Sequence, residues 1–329
     1  MPILQPVLKP LQESYESKNT WAKRALKNRS RNIKALQTAA TYQNRDRYKR
    51  AVADLNKVME ITGKNAGLQL SLANYQDNTL SPLCIDDLRK AAAGYKENIY
   101  YPYFSRHLKD LIAERPPAVI GLSLNFLSQA LCAFSIIGYL KATYPTTKIV
   151  VGGGLATTWL SHPEWNHPFK GLIDLFIGGR GERPLLKLLG KEDRDTINLP
   201  DYTIFPLADY LAPGTIIPYT TSFGCFWKKC NFCPETSENN LYSHTPPATS
   251  TYQLQQLREK HSPILFHLLD NALSSSTLRA FTHNKPNIPW YGFARFDKLL
   301  ANPDFCKRLA QSGCVMLKLG LESGDQNVL

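Results

Sequence analysis

Three cysteines stand close together, Cys225, Cys230 and Cys233, in the segment TTSFGCFWKKCNFCPE with the spacing Cys-x4-Cys-x2-Cys. Thiolates are soft ligands, so three on one loop suit an iron–sulfur cluster or zinc. The fourth ligand separates the two: a structural zinc site needs one from the protein, and His244 is the nearest candidate. A cubane held by three cysteines keeps one iron open to a substrate. Downstream, three apolar runs end in polar residues: ILFHLLD (264–270) in Asp270 and Asn271, IPWYGFA (288–294) in Arg295, and CVMLKLGLE (314–322) in Glu322 and Ser323. In a parallel α/β barrel, polar residues at the carboxyl ends of strands read as site residues. Upstream, AVIGLSL (118–124) ends at Ser123 and Asn125, KIVVGGG (148–154) closes on Gly152, Gly153 and Gly154, and LIDLFIGG (172–179) runs into Gly178, Gly179 and Gly181. Glycine lets a ligand approach the backbone closely. Three such ends at one sheet edge favour a bound cofactor over tight turns alone.

These side chains need strands and helices to hold them. Apolar residues recur near the helical period from 20 to 60 (Trp21, Ala25, Leu26, Ile33, Leu36, then Val52, Leu55, Val58, Met59), which predicts helices. From residue 67 strand and helix patterns alternate, with LQLSLANY (68–75) as a first strand, and continuous β-branched runs between helices imply a parallel sheet. Residues 191–215 carry Pro200, Pro206 and Pro213 with little periodicity and read as a connector. The expected organisation is a basic helical segment 1–66, an α/β domain 67–190, a linker 191–215 and a second α/β domain from 216.

The 329 residues, 43% of them apolar, suffice for about two domains and exclude a disordered chain. The net charge of +12 is uneven. Residues 18–50 hold eleven Lys/Arg against the single acid Asp46, so the rest of the chain sums to +2. The plain account is a solvated amphipathic helix pair; the sharper one is a nucleic-acid or acidic-partner surface. No stretch approaches the roughly 18–20 apolar residues of a membrane span, and MPILQPVLKPLQESYESK lacks the marks of a secretory signal. A soluble, cytoplasmic protein with no membrane partner is expected. Seven cysteines fit a reducing compartment. Cys84, Cys132, Cys306 and Cys314 read as packing residues, and His162 and His167, beside prolines, as surface ones.

The cysteine loop, together with the run GLESG (Gly320–Gly324), resembles the radical S-adenosylmethionine (SAM) superfamily, and more narrowly its subgroup with an N-terminal cobalamin-binding domain. The barrel part of the resemblance runs from about Ile216 to the last residue. It implies that Cys225, Cys230 and Cys233 hold a [4Fe–4S] cluster, that Phe232 lies near the adenine of SAM, and that Glu322 and Ser323 reach SAM. Asp270, Asn271 and Arg295 match polar strand-end positions of the same site. The sequence departs from the family's usual Cys-x3-Cys-x2-Cys by one residue in the first gap, filled by Phe226, Trp227, Lys228 and Lys229.

Upstream, the resemblance implies a doubly wound, Rossmann-like cobalamin domain. Ser123 and Gly152–Gly153 fit that domain's spacing, and IGGRGERPLLKL resembles its Gly-Glu-Gly-Glu turn with Arg180 in place of the first acid. Ser123, Asn125, Gly152, Gly153, Gly154, Gly178, Gly179 and Gly181 would then be the cobalamin contacts. The Asp-x-His-x-x-Gly motif that supplies a lower cobalt ligand is missing, since NYQDNTLSP (74–82) contains no His. The implied activity is methyl transfer to an unactivated carbon of a small-molecule or peptide substrate, through a 5′-deoxyadenosyl radical and methylcobalamin, with flavodoxin or ferredoxin as electron donor. Two alternatives stay open: another radical SAM reaction without cobalamin, such as a rearrangement or RNA modification, and a non-catalytic zinc- or partner-binding protein. Only four strands follow residue 215 where the family's barrel usually has six. The chain is therefore expected to be a C-terminal truncation that makes little 5′-deoxyadenosine alone.

Overall fold

The computed structural model describes residues 20–112, 116–192 and 199–325. Part of the basic N-terminal segment (1–19), part of the connector (193–198) and the expected start of a helix after the fourth strand (326–329) lie outside the described residues. The chain is mixed α/β with parallel sheets. It divides into two compact units, Met1–Leu36 with Ala40–Arg194, and Gln37–Ala39 with Asp195–Leu329.

The first unit begins with helices α1 (Thr20–Lys27), α2 (Arg29–Leu36), α3 (Ala39–Tyr42) and α4 (Arg45–Asn65). Asn44 starts α4 by accepting the Arg47 N–H at 3.0 Å, which satisfies one of the free donors of the first turn. Ala51, Leu55, Val58 and Met59 form its buried stripe. Asp54, on the same face, is buried and accepts from Trp21 Nε1 (2.9 Å), Arg24 Nη2 (2.9 Å) and Asn32 Nδ2 (3.3 Å). One carboxylate thus joins α1, α2 and α4.

The segment expected as a first parallel strand is instead an antiparallel hairpin, β1 (Leu68–Leu70) with β2 (Tyr75–Asp77). Ser71 makes the turn, its N–H donating to Asn74 O at 3.0 Å and its Oγ accepting the Ala73 N–H at 3.3 Å. Leu68 and Leu70 close the core of the helices, so residues 66–67 mark no break between domains. Helices α5 (Ile85–Ala93) and α6 (Tyr101–Ile112) lead to β3 (Val119–Ser123), α7 (Leu127–Thr143), β4 (Lys148–Gly152), α8 (Gly154–Ser161), β5 (Leu175–Phe176) and α9 (Glu182–Leu188). The sheet is parallel in the order β3-β4-β5, with Ile120 opposite Ile149, Ser123 opposite Gly152 and Val151 opposite Phe176. Its strands follow chain order. The reversal of order that defines a doubly wound sheet is not seen among the described residues, because the segment expected to supply another strand is spent on the hairpin. Phe134, Ile137, Leu140, Ile149 and Phe169 fill its core.

The second unit carries four parallel strands in the order β6 (Ile216–Tyr219), β9 (Leu265–Leu268), β10 (Trp290–Ala294) and β11 (Cys314–Leu319). A short antiparallel pair, β7 (Ser222–Phe223) with β8 (Ser243–His244), and the four-residue helix α10 (Pro234–Ser237) follow β6. Helices α11 (Pro247–His261), α12 (Ser275–His283) and α13 (Pro303–Gln311) connect the main strands. Ser274 caps α12 by accepting the Thr277 N–H at 3.1 Å, and Asn302 caps α13 by accepting the Phe305 N–H at 2.9 Å. Along β6 and β9 buried residues alternate with half-buried ones, and Ile217, Tyr219, Phe266 and Leu268 form the core face with Trp290. The connector is ordered where it is described: Leu199 and Tyr202 pack on this core, Tyr202 Oη donates to Pro218 O, and Lys260 pairs with Asp201 at 2.9 Å. Among the described residues no helix is long and apolar enough to cross a membrane.

Candidate functional site

The cysteine loop leaves and re-enters the second unit between β7 and β8, whose pairs Ser222–His244 and Phe223–Ser243 close it at the base. Gly224 makes the closure feasible. Its φ is +73°, and a Cβ there would lie 2.8 Å from Leu241 O on the returning arm. Beyond it, Cys225, Cys230 and Cys233 are free, half-buried thiols. The Cys233 N–H donates to Cys230 O at 3.2 Å, and Cys233 caps α10, whose Thr236 N–H donates to Cys233 O at 3.0 Å.

The long first gap is pinned by Trp227. The Arg295 guanidinium lies 3.5 Å from the centre of its ring and Lys229 Nζ lies 4.8 Å from it. A cation over an indole face is held by the ring quadrupole. Lys228, at a left-handed φ of +48°, donates from Nζ to Asn239 Oδ1 at 2.6 Å. On the other side Phe226 meets Tyr242 edge-on at 6.1 Å, and burial pushes the Tyr242 hydroxyl pKa up.

Asp270, at the end of β9, is 1% exposed. Its Oδ2 accepts the Thr221 N–H at 3.0 Å, while Oδ1 accepts from Thr221 Oγ1 and Ser222 Oγ, each at 2.6 Å. Asn271 Nδ2 donates to Gly224 O at 3.5 Å. The expectation of a SAM-facing Asp270 gives way to a different arrangement: both carboxylate oxygens are taken by the stem of the cysteine loop. Arg295 likewise faces Trp227. Glu322 and Ser323 sit in a turn after β11, with Glu322 at φ +54° and the Ser323 N–H donating to Leu321 O at 2.6 Å. Neither has a hydrogen bond to the cysteine loop among the described residues, and Phe232 is 70% exposed. The structure therefore gathers the three cysteines, Asp270, Asn271 and Arg295 around one loop, on which Phe232 is exposed, while Glu322 and Ser323 make no hydrogen bond to it among the described residues.

Among the described residues no three His, Cys, Asp or Glu side chains are gathered closely enough to hold a metal ion. Three thiols on one loop are the soft donor type that iron–sulfur clusters and zinc both take. Beside Cys233, Glu235 Oε2 and Thr236 Oγ1 are buried without a hydrogen-bond partner, polar atoms that a bound group would satisfy. The His244 ring stacks on Tyr242 at 5.8 Å and 16°.

The strand ends of the first unit are spent on one another. Asn125 Nδ2 donates to Ser123 Oγ at 3.1 Å, and Asn125 Oδ1 accepts the Gly154 N–H at 3.0 Å. Gly153 has φ +99°, and a Cβ there would sit 2.6 Å from Leu124 O; its lack of a side chain is used by the chain itself. The Gly179 N–H donates to Thr157 Oγ1 at 2.9 Å, and a Cβ on Gly178 would meet Leu160. At Gly152 a Cβ would lie 3.3 Å from Ile177 O, while Gly181 has room. The residues expected to contact cobalamin meet at one edge, where Gly153 leaves no room for a Cβ, Gly152 little, and Gly154 makes only ordinary contacts.

Thr221, Ser222 and Trp227 escaped the sequence reading. Trp227 had a signal, since it fills the extra length of the first gap; Thr221 and Ser222 are ordinary residues until Asp270 folds against them. Comparison with family models, curated proteins and solved structures finds no match for this chain.

Proposed function

We propose that the chain is a radical SAM enzyme whose second unit is a β/α-barrel-type sheet carrying a [4Fe–4S] cluster on Cys225, Cys230 and Cys233. The observation that supports this most is the meeting of three free cysteines on one loop with the ends of the next two parallel strands, through Asp270, Asn271 and Arg295. When bound, such a cluster, reduced by an external one-electron donor such as flavodoxin or ferredoxin, would supply the electron that cleaves the SAM sulfonium to methionine and a 5′-deoxyadenosyl radical. The chain's own part is positional. The three thiolates ligate, Asp270 fixes the loop stem, and Arg295 on Trp227 holds the long first gap against the end of β10. Methyl transfer through cobalamin, whose expected contacts at Ser123 and Gly152–Gly154 meet at one edge of the first unit, is kept within the proposal.

Anaerobic reconstitution with iron and sulfide tests the proposal. The expected result is a brown protein with about four irons per chain, a cluster EPR signal that changes when SAM is added, and loss of iron in Cys225→Ala, Cys230→Ala and Cys233→Ala. A colourless protein holding one zinc would overturn it.

A further inference from the structure

The charge on the helical bundle sits where it costs the fold. Helix N-termini favour acids, because the free N–H groups and the aligned peptide dipoles make that end positive. Here the first turns of α1 and α2 hold no acid, and α2 opens with Arg29 and Arg31. Helix α4 opens with Arg45, Arg47, Lys49 and Arg50 around the single acid Asp46. The one buried acid of the bundle, Asp54, is committed to Arg24, Trp21 and Asn32. Arg29, Arg31, Arg45, Arg47, Lys49 and Arg50 have no carboxylate partner among the described residues. All but the half-buried Arg29 are exposed.

Within the same corner Tyr42 and Tyr48 are 38% and 39% exposed, their rings 5.2 Å apart. Among the described residues the bundle's apolar residues Ala22, Ala25, Val58 and Met59 are buried in its core, so they form no exposed apolar stripe of the kind an interfacial helix lays into a bilayer. Cations that lack internal partners, beside exposed aromatic rings, match phosphates together with unpaired bases.

We propose that the corner between α3 and α4 docks single-stranded RNA, with phosphates on Arg45, Arg47, Lys49 and Arg50 and bases on Tyr42 and Tyr48. RNA is favoured because its loops keep bases unpaired and open to aromatic stacking, whereas duplex DNA holds its bases inside the stack. The proposal needs neither SAM nor a cluster, so its failure leaves the radical reading untouched.

The test is fluorescence anisotropy of the full chain with a short uridine-rich RNA across salt concentrations. Binding is expected with a steep salt dependence, log Kd changing by about 0.7 per phosphate contact for each decade of salt. Changing Arg45, Arg47, Lys49 and Arg50 together to Gln is expected to flatten that slope by about 3 and to weaken binding roughly 10²–10³-fold near 0.1 M salt. Because those cations oppose the helix dipole, this variant is expected to melt no lower than the parent, which separates lost binding from lost folding. Tyr48→Ala is expected to weaken binding about tenfold or more with the slope unchanged, as loss of base stacking requires. Binding of duplex DNA or of polyglutamate as tight as that of the RNA would overturn the proposal, as would binding to phosphatidylserine vesicles in preference to RNA, or no salt-dependent binding at all.

Discussion

At Asp270 one buried carboxylate accepts three hydrogen bonds from two consecutive residues, Thr221 and Ser222. Hydrogen bonds to charged groups contribute about 1.5–3 kcal/mol each and are not additive, and donors left buried without a partner add their desolvation cost. Asp270→Ala is therefore expected to destabilise the second unit by roughly 3 kcal/mol, read as a lower urea midpoint without any cofactor present. Asp270→Asn should lose less, since an amide oxygen still accepts. A residue serving only as a SAM contact would leave the stability of the cofactor-free protein unchanged, and that result would count against the positioning role. The polar strand ends were legible in the sequence. Their direction was not, because the carboxylate's partners lie some fifty positions away in the chain.

Between β9 and β10, His267 stacks on Tyr291 at 4.3 Å and 11°, and Lys318 of β11 lies 5.7 Å from the Tyr291 ring and 5.0 Å from that of Phe293. Burial, and then the charge of Lys318, hold the His267 pKa below its ordinary value. The folded state thus resists a proton that the unfolded chain accepts. Stability from this pair is present above the ordinary histidine pKa of about 6.5 and is lost as pH falls through it toward the lowered folded value. His267→Phe keeps the ring stack and cannot titrate. Its urea midpoint is expected to fall less than the parent's between pH 7.5 and pH 5.5; an equal fall in both would refute the linkage. Sequence periodicity had marked these runs as strands, and the parallel pairing of β6, β9, β10 and β11 follows it. It misread 68–75, where both a strand and a hairpin fit an alternation of leucines and polar residues until the Ser71 turn decides between them.

Across the whole molecule the buried residues form separate clusters, one under the first sheet, one beneath the helical bundle and one in the second unit. Two compact units with their own cores are expected to unfold in two steps. Asp54→Ala, which leaves the donors of Trp21, Arg24 and Asn32 without their acceptor, is expected to move one transition, and Asp270→Ala the other. A single transition shifted equally by both substitutions would show that the units unfold as one. The excess charge belongs to the bundle alone, so changes to it are expected to alter salt-dependent association and leave the second unit's stability as it was.

The sequence by itself determined that three thiol donors share one loop and that strands alternate with helices around them, since these are local properties of residue type and spacing. It also located the charge. Only the tertiary structure decided what the glycines and polar strand ends do: Gly153 is closed by Leu124, Asp270 is taken by Thr221 and Ser222, and Arg295 lies on Trp227. Each of these depends on groups distant in sequence meeting within a few ångströms. Hydrogen bonds and van der Waals contacts have no longer reach, so residue types alone leave such meetings open.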